Sequence, residues 1–281
     1  MNKIAQRLAC ADFTFPLLSH GQALDLIASL GFAAVDIGLF KNRGHLEPAT
    51  ELKNVAVAAK KLRQKLARCG LQAADIFLIP GETFAEMAPN HPVRAVRLRA
   101  REQFRRVVDY TLLSGGRHLS ALPGIYWKEE SAAASFNRSV EELAWRADYA
   151  RSLGAVYSVE PHIGSIIPHP RKAEQLVLAT PGLTLTLDYA HFTRRGIPDA
   201  EVEPLLQYVS HFHCRGGRKN RLQSSFLTNT IDYRRIVKAM RARGYAGYIT
   251  LEYVWSEWER CNETDNLSET ILFKNFLTKL S

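Results

Sequence analysis

Ser158-Val159-Glu160, Leu185-Thr186-Leu187-Asp188, Phe212-His213 and Thr250-Leu251-Glu252 are four short apolar runs, and each ends on a residue able to hold a divalent metal. In a barrel of parallel strands all C-terminal ends lie on one face. Groups dozens of residues apart in sequence therefore converge there. Two glutamates, an aspartate and a histidine in a ring suit one hard or borderline cation, with positions left for substrate oxygens.

Working outward from these runs, short β-rich stretches alternate with amphipathic helical ones along the chain, which predicts parallel strands joined by right-handed helical crossovers. Strands are expected near residues 6–11, 33–38, 72–79, 117–122, 155–160, 183–188, 209–214 and 248–254. Each is mostly apolar, as a strand covered on both faces should be. Gly31, Gly70, Gly154 and Gly244 follow helical stretches, where a left-handed cap is made most easily by glycine. The fold class expected is α/β, a single (β/α)8 TIM barrel. No Pro/Gly/Ser-rich linker divides the chain, so residues 1–281 are read as one domain.

Hydrophobic residues make up 46% and charged residues 23%, an ordinary globular composition. No run approaches the roughly 18 apolar residues that span a membrane, and Met1 to Arg7 lacks a signal-peptide core. The expected location is the cytoplasm. Cys10, Cys69, Cys214 and Cys261 lack metal-finger or disulfide spacing and read as reduced thiols. The net charge of +9 is mostly carried by outward helical faces such as Lys60 to Lys65 and Arg97 to Arg101. Arg215, Arg218, Lys219 and Arg221 differ because they directly follow a candidate ligand, in a long polar loop over residues 215–230 that suits a lid, a substrate-facing role or mere connection.

Taken singly, Glu160, Asp188, His213 and Glu252 each have a bland explanation as a strand-end ion pair, a helix cap or a satisfied polar group. Their joint occurrence at the ends of strands five to eight argues for a metal. His162 and His191 stand near the same mouth and are candidates for substrate binding, with a solvated loop histidine as the alternative. His211 and His213 share one side of their strand, and the one nearer the C-terminal end is the better ligand. Trp127 and Trp255 follow predicted strands and could pack on a substrate's apolar face, with core or interface packing as the alternative.

In order and spacing, Ser158-Val159-Glu160-Pro161-His162, Leu187-Asp188-Tyr189-Ala190-His191, His211-Phe212-His213 and Gly244 to Glu252 resemble the xylose isomerase-like TIM-barrel superfamily. That group holds sugar isomerases and epimerases, inosose dehydratases and endonuclease IV. The resemblance implies that Glu160, Asp188, His213 and Glu252 bind one divalent metal, Mn²⁺ first with Mg²⁺ or Co²⁺ as alternatives, and that Glu160 and Glu252 also move protons. It makes His191 a substrate contact and places a substrate-binding arginine in the segment from Arg215 to Arg221. Ile166 stands where the ketose 3-epimerases carry a further glutamate.

The expected function is a metal-dependent sugar isomerase or epimerase acting on a ketose or keto-polyol through an enediolate. The runner-up is an inosose-type dehydratase working on a cyclitol. An endonuclease needs further ligands that Ser225-Phe226-Leu227-Thr228 does not offer, although His45 and His118 could supply others. Nucleic acid and membrane partners are therefore not expected. A non-catalytic barrel is the remaining class, and a homo-oligomer is compatible with the sequence.

Overall fold

A computed structural model describes residues 4–280. Eight parallel strands close into a barrel in sequence order: β1 (Leu8–Ala11), β2 (Ala34–Phe40), β3 (Gln72–Ile79), β4 (His118–Ala121), β5 (Val156–Val159), β6 (Thr184–Asp188), β7 (Val209–Cys214) and β8 (Ile249–Leu251). All the expected strands form. The first begins two residues late because Ile4–Arg7 makes a 3₁₀ turn, and the last is short because the chain leaves the ladder after Leu251.

The long helices α1 (His20–Ser29), α3 (Val55–Cys69), α4 (Arg94–Leu113), α5 (Ala132–Ser152), α6 (Pro170–Ala179), α9 (Tyr233–Ala242) and α10 (Asn266–Lys279) surround the barrel, with α2 (Pro48–Glu51), α7 (Ala190–Thr193) and α8 (Asp199–Val202) as single turns. The causes are local. In α9, Tyr233, Ile236, Val237 and Met240 are buried at helical spacing, and the Asp232 carboxylate accepts the Arg235 backbone N–H at 3.0 Å. Gly70 ends α3 with φ 67°, a conformation glycine adopts without steric cost. Among the described residues no helix is long and apolar enough to cross a membrane.

Strand residues alternate between two environments. Val35, Ile37, Leu39, Leu185, Leu187, Ile249 and Leu251 face outward into the main core with Leu24, Ile27, Leu62, Leu66 and Phe273 of the helices. The strands are mostly apolar, as expected, and the exceptions gather at the inward positions. Ala9, Ala34 and Ala74 pack near the floor, but the middle is polar, with Asp36, Asp75, Ser120, Ser158, Thr186, His211 and Thr250 all buried. Hydrogen bonding makes this tolerable. The Ser120, Ser158 and Thr186 hydroxyls form a triangle with edges of 2.5–3.0 Å, and His118 bridges Asp75 at 2.6 Å and Ser210 at 2.7 Å.

Two register shifts assist. Asp36 pairs with Asp75 one step after Val35 pairs with Ala73, and Thr186 pairs with His211 one step after Leu185 pairs with Val209. Ala74 and Ser210 are thus extra residues of β-bulges, which re-aim the side chains that follow.

Candidate metal centre and active site

Glu160 and Glu252 immediately follow β5 and β8, Asp188 closes β6, and His213 lies near the end of β7. All four reach the C-terminal rim and are at most 5% exposed. His213 Nδ1 lies 3.0 Å from Glu160 Oε1 and 3.2 Å from Glu252 Oε2. Ligand atoms from these three residues fall within 4.8 Å of one another. Asp188 faces differently: its Oδ1 accepts the Ala190 N–H at 2.8 Å, which starts α7, and its Oδ2 accepts from Arg215 Nη2 at 2.6 Å. The same guanidinium nitrogen sits 3.5 Å from Glu252 Oε2. Arg215 is therefore a buried cation lodged between two of the candidate ligands.

Burial pushes the Glu160 carboxyl up to about 7, with the neighbouring Glu252 charge adding to it and the His213 hydrogen bond opposing. Burial also raises Asp188, against the pull of Arg215. Glu252 goes the other way, since His213 and Arg215 outweigh desolvation and hold it low. Desolvation disfavours a charged His213, but Glu252, Asp36 and Glu160 together keep its ring protonated well above the usual range.

These residues fit a divalent cation. Glu252 Oε2 is buried without a hydrogen bond, and an imidazole with two or three carboxylates is a suitable donor set for Mn²⁺, Mg²⁺ or Co²⁺. Binding must displace protons from His213 and Glu160, so it strengthens as pH rises.

Above the cluster opens a cavity of about 110 Å³, walled by Phe13, Phe40, Phe77, Trp255 and Trp258, with Glu160, Glu252, His162 and Arg215 at its polar end and Arg43 at its edge. Burial lowers His162 to about 4, so its ring is neutral. It packs between Trp258, stacked at 5.3 Å, and His191 at 4.1 Å between ring centres. His191 stands behind it, 3.8 Å from Glu160 and 3.6 Å from Asp188, and is kept neutral by burial and by the nearby His162 and Arg215.

Of the residues expected to meet substrate, His162, Arg215 and Trp255 line this cavity. Trp127 does not: its indole N–H reaches Asn90 and its ring meets His91 edge-on. Arg221 pairs with Glu263 outside the cavity. The loop after β7 is packed down rather than raised as a lid, because Gln223 Nε2 donates to the carbonyls of Val254 and Cys261. Ile166 is fully buried in the outer core. His45 meets the Asp12 carbonyl and His118 points to the barrel interior, so neither joins the rim cluster.

Sequence reasoning missed Phe40, Phe77, Arg43 and Trp258, and it missed Asp36, whose Oδ2 lies 2.7 Å from His211 Nε2 and 3.2 Å from His213 Nε2. A signal for Asp36 existed. A carboxylate in the middle of Ala34-Val35-Asp36-Ile37 must be buried and paired if the run is an interior strand.

The xylose isomerase-like TIM barrel family model matches residues 24–275. No curated protein matches the sequence. Among solved structures, a xylose isomerase-like TIM barrel protein from Mycobacterium smegmatis in complex with magnesium superposes with a TM-score of 0.76 at 14% identity, over 100% of this chain and 98% of that one. An L-ribulose 3-epimerase gives 0.75 at 20% identity over 97% and 94%. An AP endonuclease, family 2, from Brucella melitensis gives 0.71 at 19% over 96% and 99%. At such identities the likeness speaks for the fold alone, whereas the sequence match over nine-tenths of the chain settles kinship: the protein belongs to the xylose isomerase-like TIM barrel family.

Proposed function

We propose that the chain is a divalent-metal-dependent sugar isomerase or epimerase acting on a ketose or keto-polyol, with Glu160 and Glu252 as its proton-transfer residues. The observation that carries this reading is the meeting of these two buried carboxylates at one imidazole nitrogen, at the polar end of an aromatic-walled cavity. Glu160, His213 and Glu252, with Asp188 beside them, would hold the cation. When bound, that cation acidifies the C–H between a carbonyl and an adjacent hydroxyl.

The residues divide the remaining work. Glu160, whose proton the cation would displace, is a carboxylate at the polar end of the cavity and suits the base role. Glu252, ionised beside His213 and Arg215, would take up a proton from solvent and deliver it to the opposite face of the substrate carbon. His162, neutral and donating through Nδ1 to the Ile163 carbonyl at 2.7 Å, offers a hydrogen-bonding ring edge to sugar hydroxyls. The aromatic wall excludes water and gives a sugar's C–H face a surface to pack on. Delivery of a proton by Glu252 to the same carbon on the other face, with Glu160 keeping the one it removed, gives an epimer; return of that proton by Glu160 to the neighbouring carbon gives an isomer. The reading assigns Mn²⁺ as the preferred cation and the cytoplasm, where the four free thiols stay reduced, as the location.

The test is ¹H NMR of a panel of ketoses and keto-polyols incubated with Mn²⁺-loaded protein in D₂O. Exchange of a carbon-bound proton next to the carbonyl, with the skeleton intact, is expected for at least one sugar. Loss of water instead would make the enzyme a dehydratase using the same cluster. Complete absence of exchange across the panel would overturn the proposal.

A further inference from the structure

We infer that Asp36, on β2, is the positioning residue that fixes which nitrogen of His213 faces the cation. This rests on the rim cluster being a cation site. An imidazole can offer a lone pair at Nδ1 only if its proton sits on Nε2, and that tautomer persists only when an acceptor holds the Nε2–H. In this barrel the acceptor is Asp36 Oδ2, 3.2 Å from His213 Nε2, while Nδ1 looks toward Glu160 and Glu252. Asp36 comes from β2, three strands round the barrel from β7, so the contact is made across the interior.

Asp36 is itself locked. Its Oδ1 accepts from the Thr250 hydroxyl at 3.0 Å, and its Oδ2 also accepts from His211 Nε2 at 2.7 Å. Both residues are fully buried or nearly so. The carboxylate thus cannot rotate away from His213 without losing two other bonds. Asp36, Asp75, His211 and His213 lie close enough together to invite a second ion. The 2.7 and 3.2 Å separations at Asp36 Oδ2, however, are hydrogen-bond lengths, which the ring protons satisfy without one.

The experiment is Mn²⁺ titration, by EPR of free ion, of the wild type, Asp36→Asn and Thr250→Val, with ion stoichiometry and melting of the metal-free forms recorded alongside. Asp36→Asn presents an amide that can turn its NH₂ toward Nε2 and favour the wrong tautomer. Its affinity is expected to fall about 10- to 100-fold. Thr250→Val disturbs the same network but leaves the carboxylate–imidazole contact, so its affinity should stay within about threefold of wild type, whatever its melting temperature does, since the tautomer is unchanged. Equal affinity in wild type and Asp36→Asn would sink the inference alone, as would two tightly bound ions per wild-type chain, which would make Asp36 a ligand. No binding by the wild type would sink the rim site and the inference together. If Asp36→Asn does not fold, a Zn²⁺-loaded wild-type structure decides: the ring must coordinate through Nδ1 with Nε2 on Asp36, and coordination through Nε2 overturns the proposal.

Discussion

Replacing either Glu160 or Glu252 with glutamine is expected to reduce deuterium exchange into the substrate by about 10²- to 10⁴-fold, the range for loss of a positioned general acid or base. The substitutions are isosteric, so circular dichroism should be unchanged. Their effects on the metal-free protein should differ in sign. Burial lifts Glu160 to about 7, above its ordinary value of 4.5, so the folded state binds that proton more tightly than the unfolded one. Stability is then lost as pH rises from 4.5 through about 7. Glu160→Gln removes this penalty and should melt higher than wild type at pH 8. Glu252 is held below its ordinary value by His213 and Arg215. Its stabilisation is present above that ordinary value and lost as pH falls, so Glu252→Gln should melt lower at pH 8. Measured at saturating Mn²⁺, a glutamine variant retaining more than a tenth of the wild-type exchange rate would remove that residue from the proton-transfer pair.

Arg215→Met should give the largest loss of stability, about 3–5 kcal/mol in the metal-free protein, because it strips a buried guanidinium from Asp188 and Glu252 and leaves their charges uncompensated. For a chain of this size that is a fall in melting temperature on the order of 5–10 °C. A divalent ion supplies the missing positive charge, so Mn²⁺ should raise the melting point of the variant more than that of the wild type. The comparison needs only melting curves with and without Mn²⁺. A metal-free variant melting within about 2 °C of wild type would mean that Arg215 is not the counter-charge that its 2.6 Å contact indicates.

The barrel was legible because its strands are short apolar runs separated by amphipathic helices with marked ends. The rim carboxylates and His213 were legible because each closes such a run. Arg215 was singled out as a substrate contact, yet its pairing with Asp188 could not be read, since that depends on how a loop residue turns back over the rim. The polar interior was harder still. Asp36 and His213 are 177 positions apart and meet only because the barrel closes. The bulges at Ala74 and Ser210, which set the registers around Asp75 and His211, leave no periodic mark in the sequence. Trp127 and Trp258 show the same limit for the cavity wall: Trp127 lies in the loop beyond β4 and Trp258 opens a 3₁₀ turn beyond β8, and it is the Asn90 contact that takes Trp127 elsewhere while Trp258 stacks on His162.

Anomalous scattering from a Mn²⁺-soaked crystal decides whether one divalent ion sits at the rim. A single strong peak is expected about 2.0–2.3 Å from His213 Nδ1 and from carboxylate oxygens of Glu160 and Glu252. No peak there, or one held by other residues while these three remain paired among themselves, would contradict a single rim ion.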